Sequence, residues 1–378
     1  MMREAEAMAL LVMTRGLGYA RREAAVAAAG SALALISEPG AYRAALGEEG
    51  LASLRTTVSR AQQMLEHLAQ SGTQILARTD EGYPSRLAAT ARPPHVLFVQ
   101  GSMRLDDAFP FAVVGTRRAS EYGLEQTHAI ARDLARSGVC IISGLALGVD
   151  AAAHMGALDA GGRTIAVLGG AHDRFYPAEN RALRERILSC GGTVITEYPP
   201  GMPPTSWSFL ERNRIIAGLS LGVLVTEGAR RSGAQRTVRE ALCEGREVFA
   251  LPGRVDWVCA QLPNRLIAEG AHLTTCAADI LRMLVIEPPR SPAQMERMTP
   301  AAPVKKRKEP RMIPDELGED ERAVYAALLE GEMDFDALAG KTGLAEDALG
   351  AALAMLELGG YAAALGGCRY ALTPEDEA

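Results

Sequence analysis

The sequence is poor in lysine, in aromatic residues and in long apolar runs. Only four of its 378 residues are lysine, at positions 305, 306, 308 and 341, and aromatic residues make up 5% of the chain. No apolar run is long enough for a membrane span or a secretory signal, and acidic side chains occur within the first ten residues. These absences argue against membrane and secreted proteins, so we expect a cytoplasmic protein with no membrane partner.

Cysteines are few and are not arranged in pairs. The six of them, at positions 140, 190, 243, 259, 276 and 368, form no CxxC pair and show no metal-ligand spacing with the six histidines. This pattern is typical of reduced cytosolic thiols, and Cys140, between Val139 and Ile141, is most simply a core residue. We therefore predict no metal site.

Several sequence motifs of catalysis and cofactor binding are also missing. The chain contains no HExxH, and it lacks both the dinucleotide fingerprint GxGxxG and the P-loop GxxxxGK followed by Ser or Thr. We predict no catalytic residue and no cofactor, which favours a binding protein over an enzyme.

Two strand–turn–helix units follow each other between residues 111 and 154. Phe111–Val114 and Val139–Ile142 are short and β-branched, and each runs into a glycine-containing polar turn, which predicts buried strands. Turns at the same ends of parallel strands form a crevice lined by N–H groups at helix N-termini, where phosphate binds. Glycines alone would equally serve tight turns, but paired arginines beside them favour an anion site. The turn residues are Gly115, Thr116, Arg117, Arg118, Ser143, Gly144 and Gly148.

Strands and helices continue to alternate after this unit. The alternation predicts an α/β fold with a doubly wound, mostly parallel Rossmann-like sheet and a ligand at the carboxyl ends of its strands. Ile75–Ala77 and Val96–Val99 predict an extra edge of the same sheet. Further strands are predicted at Arg163–Leu168, Thr193–Thr196, Gly222–Thr226 and Glu247–Leu251, with helices near residues 178–188, 212–219, 237–244 and 263–268.

Arginines are concentrated in residues 201–254, a segment that contains eight arginines and five glutamates. Trp207 and Phe209 precede the run Arg212–Arg214, and aromatics interleaved with arginines suit bases that stack beside a phosphate backbone. Core packing is an equally good interpretation of Phe209, and a solvated surface is the alternative for Arg214 and Arg231. Ser232 and Gly233 begin a helix, which predicts a second N-terminus facing an anion.

Composition divides the chain into four segments. Residues 1–72 are alanine-rich with helical spacing, residues 73–287 carry the strands, and residues 288–314 hold seven prolines and the basic run 305–308, as expected of a linker. Residues 315–378 contain 15 acidic and 3 basic side chains, a net charge of −12, which leaves +6 for residues 1–314. A basic body and an acidic terminal domain therefore share one chain.

The two terminal segments each contain a helical motif. Arg15–Gly18, between two helices, resembles a helix-hairpin-helix turn that can hold a DNA phosphate, although a plain glycine corner in a packing module is the simpler interpretation. Residues 315–373 follow winged-helix order, with helices at 319–330, 334–341 and 345–358 and a hairpin turning at Gly366–Gly367. The predicted recognition helix has three acidic residues and no Arg or Lys. Such a helix would repel duplex DNA, so we predict a protein-interaction or autoregulatory domain.

Several separated motifs, in order along nearly the whole chain, resemble the DNA-processing protein A (DprA, Smf) family. They are Val114–Arg117, Ser143–Ala146 with Gly148, Asp150 and His154, Arg212–Ser220, and Pro252–Gly253. The resemblance implies a SAM-like helical domain at 1–72, a Rossmann-like DNA-binding domain at 73–287 and a winged-helix domain at 315–378.

The same resemblance implies a function and partners. Members of this family bind and protect incoming single-stranded DNA and load RecA recombinase during natural transformation, so we expect those partners, a homodimer, and contact with single-strand binding protein. The predicted DNA- or phosphate-binding residues are Gly115, Thr116, Arg117, Arg118, Ser143, Gly144, Leu145, Phe209, Asn213, Arg214, Arg231, Ser232, Gly233, Arg236 and Asn264.

One enzyme class is the alternative. Phosphoribohydrolases with a Rossmann-like fold use a Gly-Gly-x-Gly-Thr-x-x-Glu turn, and residues 233–240 read GAQRTVRE. This stretch keeps Thr237 and Glu240 but has Arg236 where glycine would let a nucleotide approach, which favours charge contact over catalysis. An enzyme of this class would release a free base from a nucleoside monophosphate, whereas a binding protein would only retain oligonucleotide.

Overall fold

The structure is a computed structural model that describes residues 2–107, 109–284, 313–314, 317–359, 361–364 and 369–373. The chain divides into two compact units, Met1–Ser291 and Pro292–Ala378. The predicted linker 288–314, apart from its last two residues, lies outside the described residues, and so do its basic run 305–308 and the hairpin turn at 366–367.

Five helices open the first unit, as the alanine-rich pattern predicts. Leu10, Leu35 and Leu54 are fully buried among them, and the same core continues through Ile75 and Phe98 of the first two strands. The helical segment therefore packs directly on one edge of the sheet. The helices are α1 (Glu4–Met13), α2 (Tyr19–Ala29), α3 (Ala32–Ser37), α4 (Arg43–Ser59, kinked at Gly47) and α5 (Ala61–Gln70).

A nine-stranded sheet with the order β1-β2-β6-β5-β4-β3-β7-β8-β9 forms the centre of the unit. The pairs β1–β2 and β2–β6 are antiparallel. All other neighbouring pairs along this sheet, from β6–β5 to β8–β9, are parallel. The predicted extra edge and the mostly parallel doubly wound sheet are both confirmed. The strands are β1 (Gln74–Ala77), β2 (Val96–Gly101), β3 (Pro110–Val114), β4 (Cys140–Ser143), β5 (Thr164–Val167), β6 (Thr193–Thr196), β7 (Gly222–Val225), β8 (Glu247–Ala250) and β9 (His272–Leu273).

Helices cover both faces of the parallel strands, which explains why residues on both faces of β4, β5 and β6 are buried rather than alternately buried and exposed. In β3, Phe111 and Val113 belong to one core and Ala112 and Val114 to the other. The helices are α6 (Ser85–Ala88), α7 (Glu121–Arg136), α8 (Val149–Asp159), α9 (Arg181–Ser189), α10 (Ser206–Leu219), α11 (Ala234–Cys243), α12 (Gln261–Ala268) and α13 (Ala277–Met283).

The second unit has winged-helix order and its own core. Leu328, Leu338, Leu353 and Leu356 are buried together, and a three-stranded sheet with the order β10-β12-β11 completes the fold. The helix at the predicted recognition position, Glu346–Leu358, contains no basic residue. The elements are α14 (Glu319–Leu328), β10 (Met333–Asp334), α15 (Phe335–Thr342), α16 (Glu346–Leu358), β11 (Ala362–Ala364) and β12 (Arg369–Leu372).

Candidate nucleic-acid interface

The strand order reverses between β3 and β7, and the main cleft of the first unit opens there. From β3 the chain builds the sheet outward through β4, and it later returns to place β7 on the other side of β3. Ligands of open α/β sheets bind outside the carboxyl ends of the strands at such a switch point. The backbone N–H of Thr116 donates to the carbonyl of Glu227 at 2.8 Å, so the turns after the two strands meet at the base of the cleft.

The cleft has a volume of about 740 Å³ and three walls. The turn after β3 forms the first, the N-terminal half of α10 forms the second, and the start of α11 forms the third. Of the predicted site residues, the cleft brings together Gly115, Thr116, Arg117, Arg118, Phe209, Asn213, Ser232 and Gly233.

Aromatic and cationic groups meet at the mouth of the cleft. The guanidinium carbon of Arg117 lies 4.8 Å from the ring centroid of Phe209, and the Tyr176 ring lies 6.0 Å from the same ring. Tyr176 is 53% exposed, whereas Phe209 is half-buried because Gly169 lies so close that a Cβ there would be 2.5 Å from the ring. The ring of Phe209 is thus part of the cleft wall, with Gly169 fixing its position.

Close packing fixes the turn that carries Arg117 and Arg118. A Cβ on Gly115 would lie 2.6 Å from the Val149 side chain and 2.7 Å from the carbonyl of Glu227, so only glycine fits there. The buried carboxylate of Glu227 accepts hydrogen bonds from the backbone N–H and the hydroxyl of Ser120, at 2.8 and 2.6 Å. These contacts hold the two exposed arginines at the rim of the cleft.

The N-terminus of α11 supplies a further anion-binding feature. Gly233 is its N-cap residue, and Ser232 and Ala234 line the cleft beside it. Helix N-termini attract anions because their first N–H groups have no intrahelical partner. The Asn213 side chain is buried and donates to the Gly233 carbonyl at 3.4 Å, so it ties α10 to this turn.

Arg212 is a functional candidate that the sequence motif contained but that was not among the predicted site residues. Arg212 as a whole is only 4% exposed, yet it lines the cleft, and its guanidinium donates to the carbonyl of Gly144 at 2.8 Å and to that of Val167. Burial lowers the pKa of Arg212 to about 10, and the nearby Asp150 carboxylate opposes that shift. The guanidinium therefore remains protonated at neutral pH and adds positive charge beneath the cleft.

Ser143, Gly144 and Leu145 lie under the cleft rather than on its walls. The hydroxyl of Ser143 donates to the carbonyl of Val113 at 2.6 Å, and the N–H of Gly144 donates to Asp150 at 3.1 Å. Leu145 is fully buried with a φ of 54°, and Asn180 donates to its carbonyl at 3.0 Å. The Gly144 N–H already has a hydrogen-bond partner within the protein. The turn after β4 therefore supports the floor of the cleft.

Four predicted residues lie outside the cleft walls. Arg214 donates to Glu197 and, at 2.8 Å, to the carbonyl of Arg92. Arg236 pairs with Glu240 at 2.7 Å. Asn264 exchanges two hydrogen bonds with the backbone of Gly253, at 3.1 and 2.8 Å, and Arg231 is exposed on the turn before α11.

The motif of the enzyme alternative is split between two surfaces. Thr237 lines the cleft, whereas Glu240 faces Arg236 in a separate pocket that also contains Arg92 and Arg214. The acid that a phosphoribohydrolase would place in the cleft with Thr237 is therefore not one of its lining residues.

Metal clusters and membrane-spanning helices are both absent from the described ranges. Within them, no group of three or more His, Cys, Asp or Glu side chains is arranged to hold a metal ion. None of the helices described is both long enough and apolar enough to span a bilayer.

Fold and site together define a doubly wound α/β protein with a cationic, aromatic-lined cleft at the switch point of its sheet, the class that binds phosphate-bearing ligands. A family model described as DNA recombination-mediator protein A matches residues 74–285, and a DprA winged helix domain model matches residues 308–367. The chain belongs to the DNA recombination-mediator protein A (DprA, Smf) family, which confirms the resemblance drawn from its motifs.

Individual relatives agree with this assignment. A putative DNA processing protein DprA of Mycobacterium tuberculosis is 37% identical over 82% of this chain and 79% of its own length. Protein Smf of Escherichia coli is 43% identical over 57% of this chain, a match that spans 58% of the E. coli protein. The structure is similar to that of DprA from Streptococcus pneumoniae, with a TM-score of 0.62 and 34% identity over 74% of this chain and 98% of the other.

A second solved structure, from Helicobacter pylori, concerns the single-stranded DNA binding mode of DNA processing protein A. Its similarity to this chain has a TM-score of 0.51, with 30% identity over 57% of this chain and 97% of the other.

Proposed function

We propose that this protein binds single-stranded DNA in the cleft between β3 and β7 and acts, without catalysis, as a mediator that loads RecA onto incoming strands during natural transformation. The observation that carries the proposal is the position of Arg117 over Phe209 at the mouth of the cleft, opposite the N-terminus of α11. A guanidinium for the phosphates beside a ring for the bases suits a single strand of any sequence.

The charge of the cleft supports the same ligand. Arg117, Arg118 and Arg212 line it, against the single carboxylate of Asp150, which is buried and bonded to the backbone of Gly144. A duplex binder would instead need an element that enters a groove, and α16, at the recognition position of the winged helix, has no basic side chain. The Helicobacter relative, whose structure concerns single-stranded DNA binding, adds support.

Fluorescence anisotropy with single-stranded and duplex oligonucleotides of one sequence tests the DNA-binding part. We expect the single strand to bind several-fold or more tightly than the duplex, with little dependence on sequence. Equal or tighter duplex binding would contradict the proposal.

The mediator part needs a different assay. Single-stranded DNA is coated with single-strand binding protein, and RecA-driven strand exchange is followed with wild type, with Arg117→Ala and with Arg136→Ala. Arg136 is an exposed arginine at the end of α7, paired with Asp133 at 3.4 Å, and serves as the matched control. We expect acceleration by wild type and by the control variant only. If Arg117→Ala accelerated strand exchange as much as wild type does, the mediator activity would not depend on the cleft.

The homodimer is part of the same proposal. β9 is an edge strand of only two residues, and Leu273 on it is 54% exposed. The unpaired backbone groups of a sheet edge can pair with another chain, and the Leu273 side chain would be covered in such a contact. Sedimentation equilibrium should give twice the chain mass for wild type, and Leu273→Glu should shift the equilibrium toward the monomer if this edge takes part.

A further inference from the structure

A second pocket, of about 390 Å³, lies on the other side of α10 from the cleft, between that helix and the N-terminal helices. Trp207, Glu211 and Arg214 of α10 line this pocket, whereas Ser206, Phe209 and Asn213 line the cleft. Residues at i, i+4 and i+7 share one face of a helix, so the two pockets use two faces of the same element. We call the second one the α2–α10 pocket.

The indole of Trp207 is the most conspicuous feature of the α2–α10 pocket. It lies in the first turn of α10 and is 61% exposed, although large aromatic side chains are normally well buried. The cleft residues Ser206 and Phe209 belong to the same turn of the helix. A helix with its side chains is about 10 Å wide, so a short stretch of single-stranded DNA can cross α10 from Phe209 to Trp207.

The opposite wall offers groups for a phosphate. The helix-hairpin-helix-like corner ends at Gly18, the N-cap of the 11-residue helix α2, and no side chain caps that end. The Arg22 side chain lines the pocket, and its Nη1 donates to the carbonyl of Leu17 at 2.6 Å, which holds the guanidinium beside this helix end. A helix N-terminus beside a fixed guanidinium charge is a suitable environment for phosphate.

The remaining charges of the pocket largely cancel. Arg92 pairs with Glu211 and Arg214 pairs with Glu197, which leaves the positive charge of Arg22 in excess. Both carboxylates are therefore neutralised by neighbours, and an incoming phosphate would meet a weakly positive pocket with an exposed stacking surface. This combination suits one nucleotide of a single strand better than an isolated anion.

We propose that the α2–α10 pocket is a second nucleotide subsite, in which a base stacks on Trp207 and a phosphate lies at the N-terminus of α2. This inference rests on the proposed function, because the same strand would occupy the cleft and then cross α10. It assigns to the N-terminal helical segment a direct contact with DNA. A strand too short to leave the cleft would not reach this pocket.

Tryptophan fluorescence tests the subsite directly. The chain has two tryptophans, so Trp257→Phe leaves Trp207 as the only indole reporter. Oligothymidylates of increasing length, from about 4 to about 16 nucleotides, are added while binding is followed independently by anisotropy. We expect the shortest oligonucleotides to bind without changing the emission of Trp207 and longer ones to quench it.

Affinity measurements on full-length variants complete the test. Trp207→Ala and Arg22→Ala should each weaken binding of long oligonucleotides, Trp207→Ala by about fivefold or more, as expected for the loss of one stacked base. Arg136→Ala is the control. If Trp207 is not quenched at any length and Trp207→Ala binds like wild type, while Arg117→Ala still loses affinity, the subsite is refuted and the cleft stands. If Arg117→Ala also binds like wild type, the cleft itself is refuted.

Discussion

The guanidinium of Arg117 and the ring of Phe209 lie in contact, 4.8 Å from carbon to centroid, although 92 positions of sequence separate the two residues. Arg117 is on the turn after β3, and Phe209 is in the first turn of α10. The contact places a phosphate partner and a stacking surface side by side, which are the two things a sequence-tolerant single-strand binder needs.

The first prediction concerns Arg117. Arg117→Ala should weaken binding of single-stranded DNA and lower the slope of log K against log salt by about 0.7, the share of one phosphate contact on a single strand. Anisotropy titrations at several salt concentrations measure the slope, with Arg136→Ala as the control. Slopes equal to wild type, with normal circular dichroism, would place the phosphate contact elsewhere.

Arg214→Ala should act mainly on stability. Its guanidinium neutralises Glu197, whose pKa is raised by burial and held down by Arg214 in particular. Removal of one partner of a largely buried pair leaves the other uncompensated, so we expect a loss of about 2–3 kcal/mol in the free energy of unfolding. Urea denaturation measures this. If Arg214→Ala had wild-type stability but a reduced salt slope of DNA binding, Arg214 would instead contact the DNA, as the sequence predicts.

Gly148→Ala should damage the cleft from below. Gly148 has a φ of 76°, and a Cβ there would lie 2.4 Å from the carbonyl of Thr116, so the turns after β3 and β4 would be forced apart. Gly161→Ala is a matched control, because Gly161 also has a positive φ, of 68°, but has open space around it. We expect about 1 kcal/mol of destabilisation for Gly161→Ala and a larger loss, together with loss of DNA binding, for Gly148→Ala. Equal effects of the two substitutions would refute the steric argument.

The buried histidine His154 should make stability depend on pH. Burial, assisted by the nearby charge of Arg212, lowers the pKa of His154 to about 3, whereas an unfolded histidine has a pKa of about 6.5. Between these values the unfolded chain binds more protons, so stability present above pH 6.5 is lost as the pH falls, by up to about 1.4 kcal/mol per pH unit.

The variant His154→Gln isolates this contribution. Burial also lowers the pKa of His95 and His172, to about 4 each, and raises that of Asp150, but these groups are present in both proteins. Urea unfolding between pH 4 and 7, a window set by those pKa values, should give a shallower pH dependence for His154→Gln than for wild type. Parallel curves would show that His154 is protonated or exposed before unfolding.

Local patterns were enough to predict eight of the nine strands of the large sheet and the position of the cleft. β-branched runs such as Phe111–Val114, closed by glycine turns, predict buried parallel strands, and the alternation with helices predicts the cleft at their carboxyl ends. Gly115, Thr116 and Arg117 were found from the sequence because the turn that positions them is only a few residues long.

Long-range partners were not predictable from spacing. Arg212 reads as an exposed arginine in a polar run, but its contact with the carbonyl of Gly144, 68 positions away, makes it a buried part of the floor. Arg214 is drawn away from the cleft by Glu197, because α10 directs residues two apart to different faces. Which face of a helix meets which pocket depends on tertiary packing.

The last prediction concerns the acidic winged-helix unit. Deletion of residues 315–378 removes a net charge of −12 and should leave single-strand binding intact or strengthen it, because long-range repulsion of the DNA is lost. This effect should shrink as salt shortens the Debye length from about 10 Å at 0.1 M to about 3 Å at 1 M. Anisotropy with the truncated and full-length chains at low and high salt measures both trends. A large loss of affinity on truncation would mean that α16 or its neighbours contact DNA despite having no basic side chain on that helix.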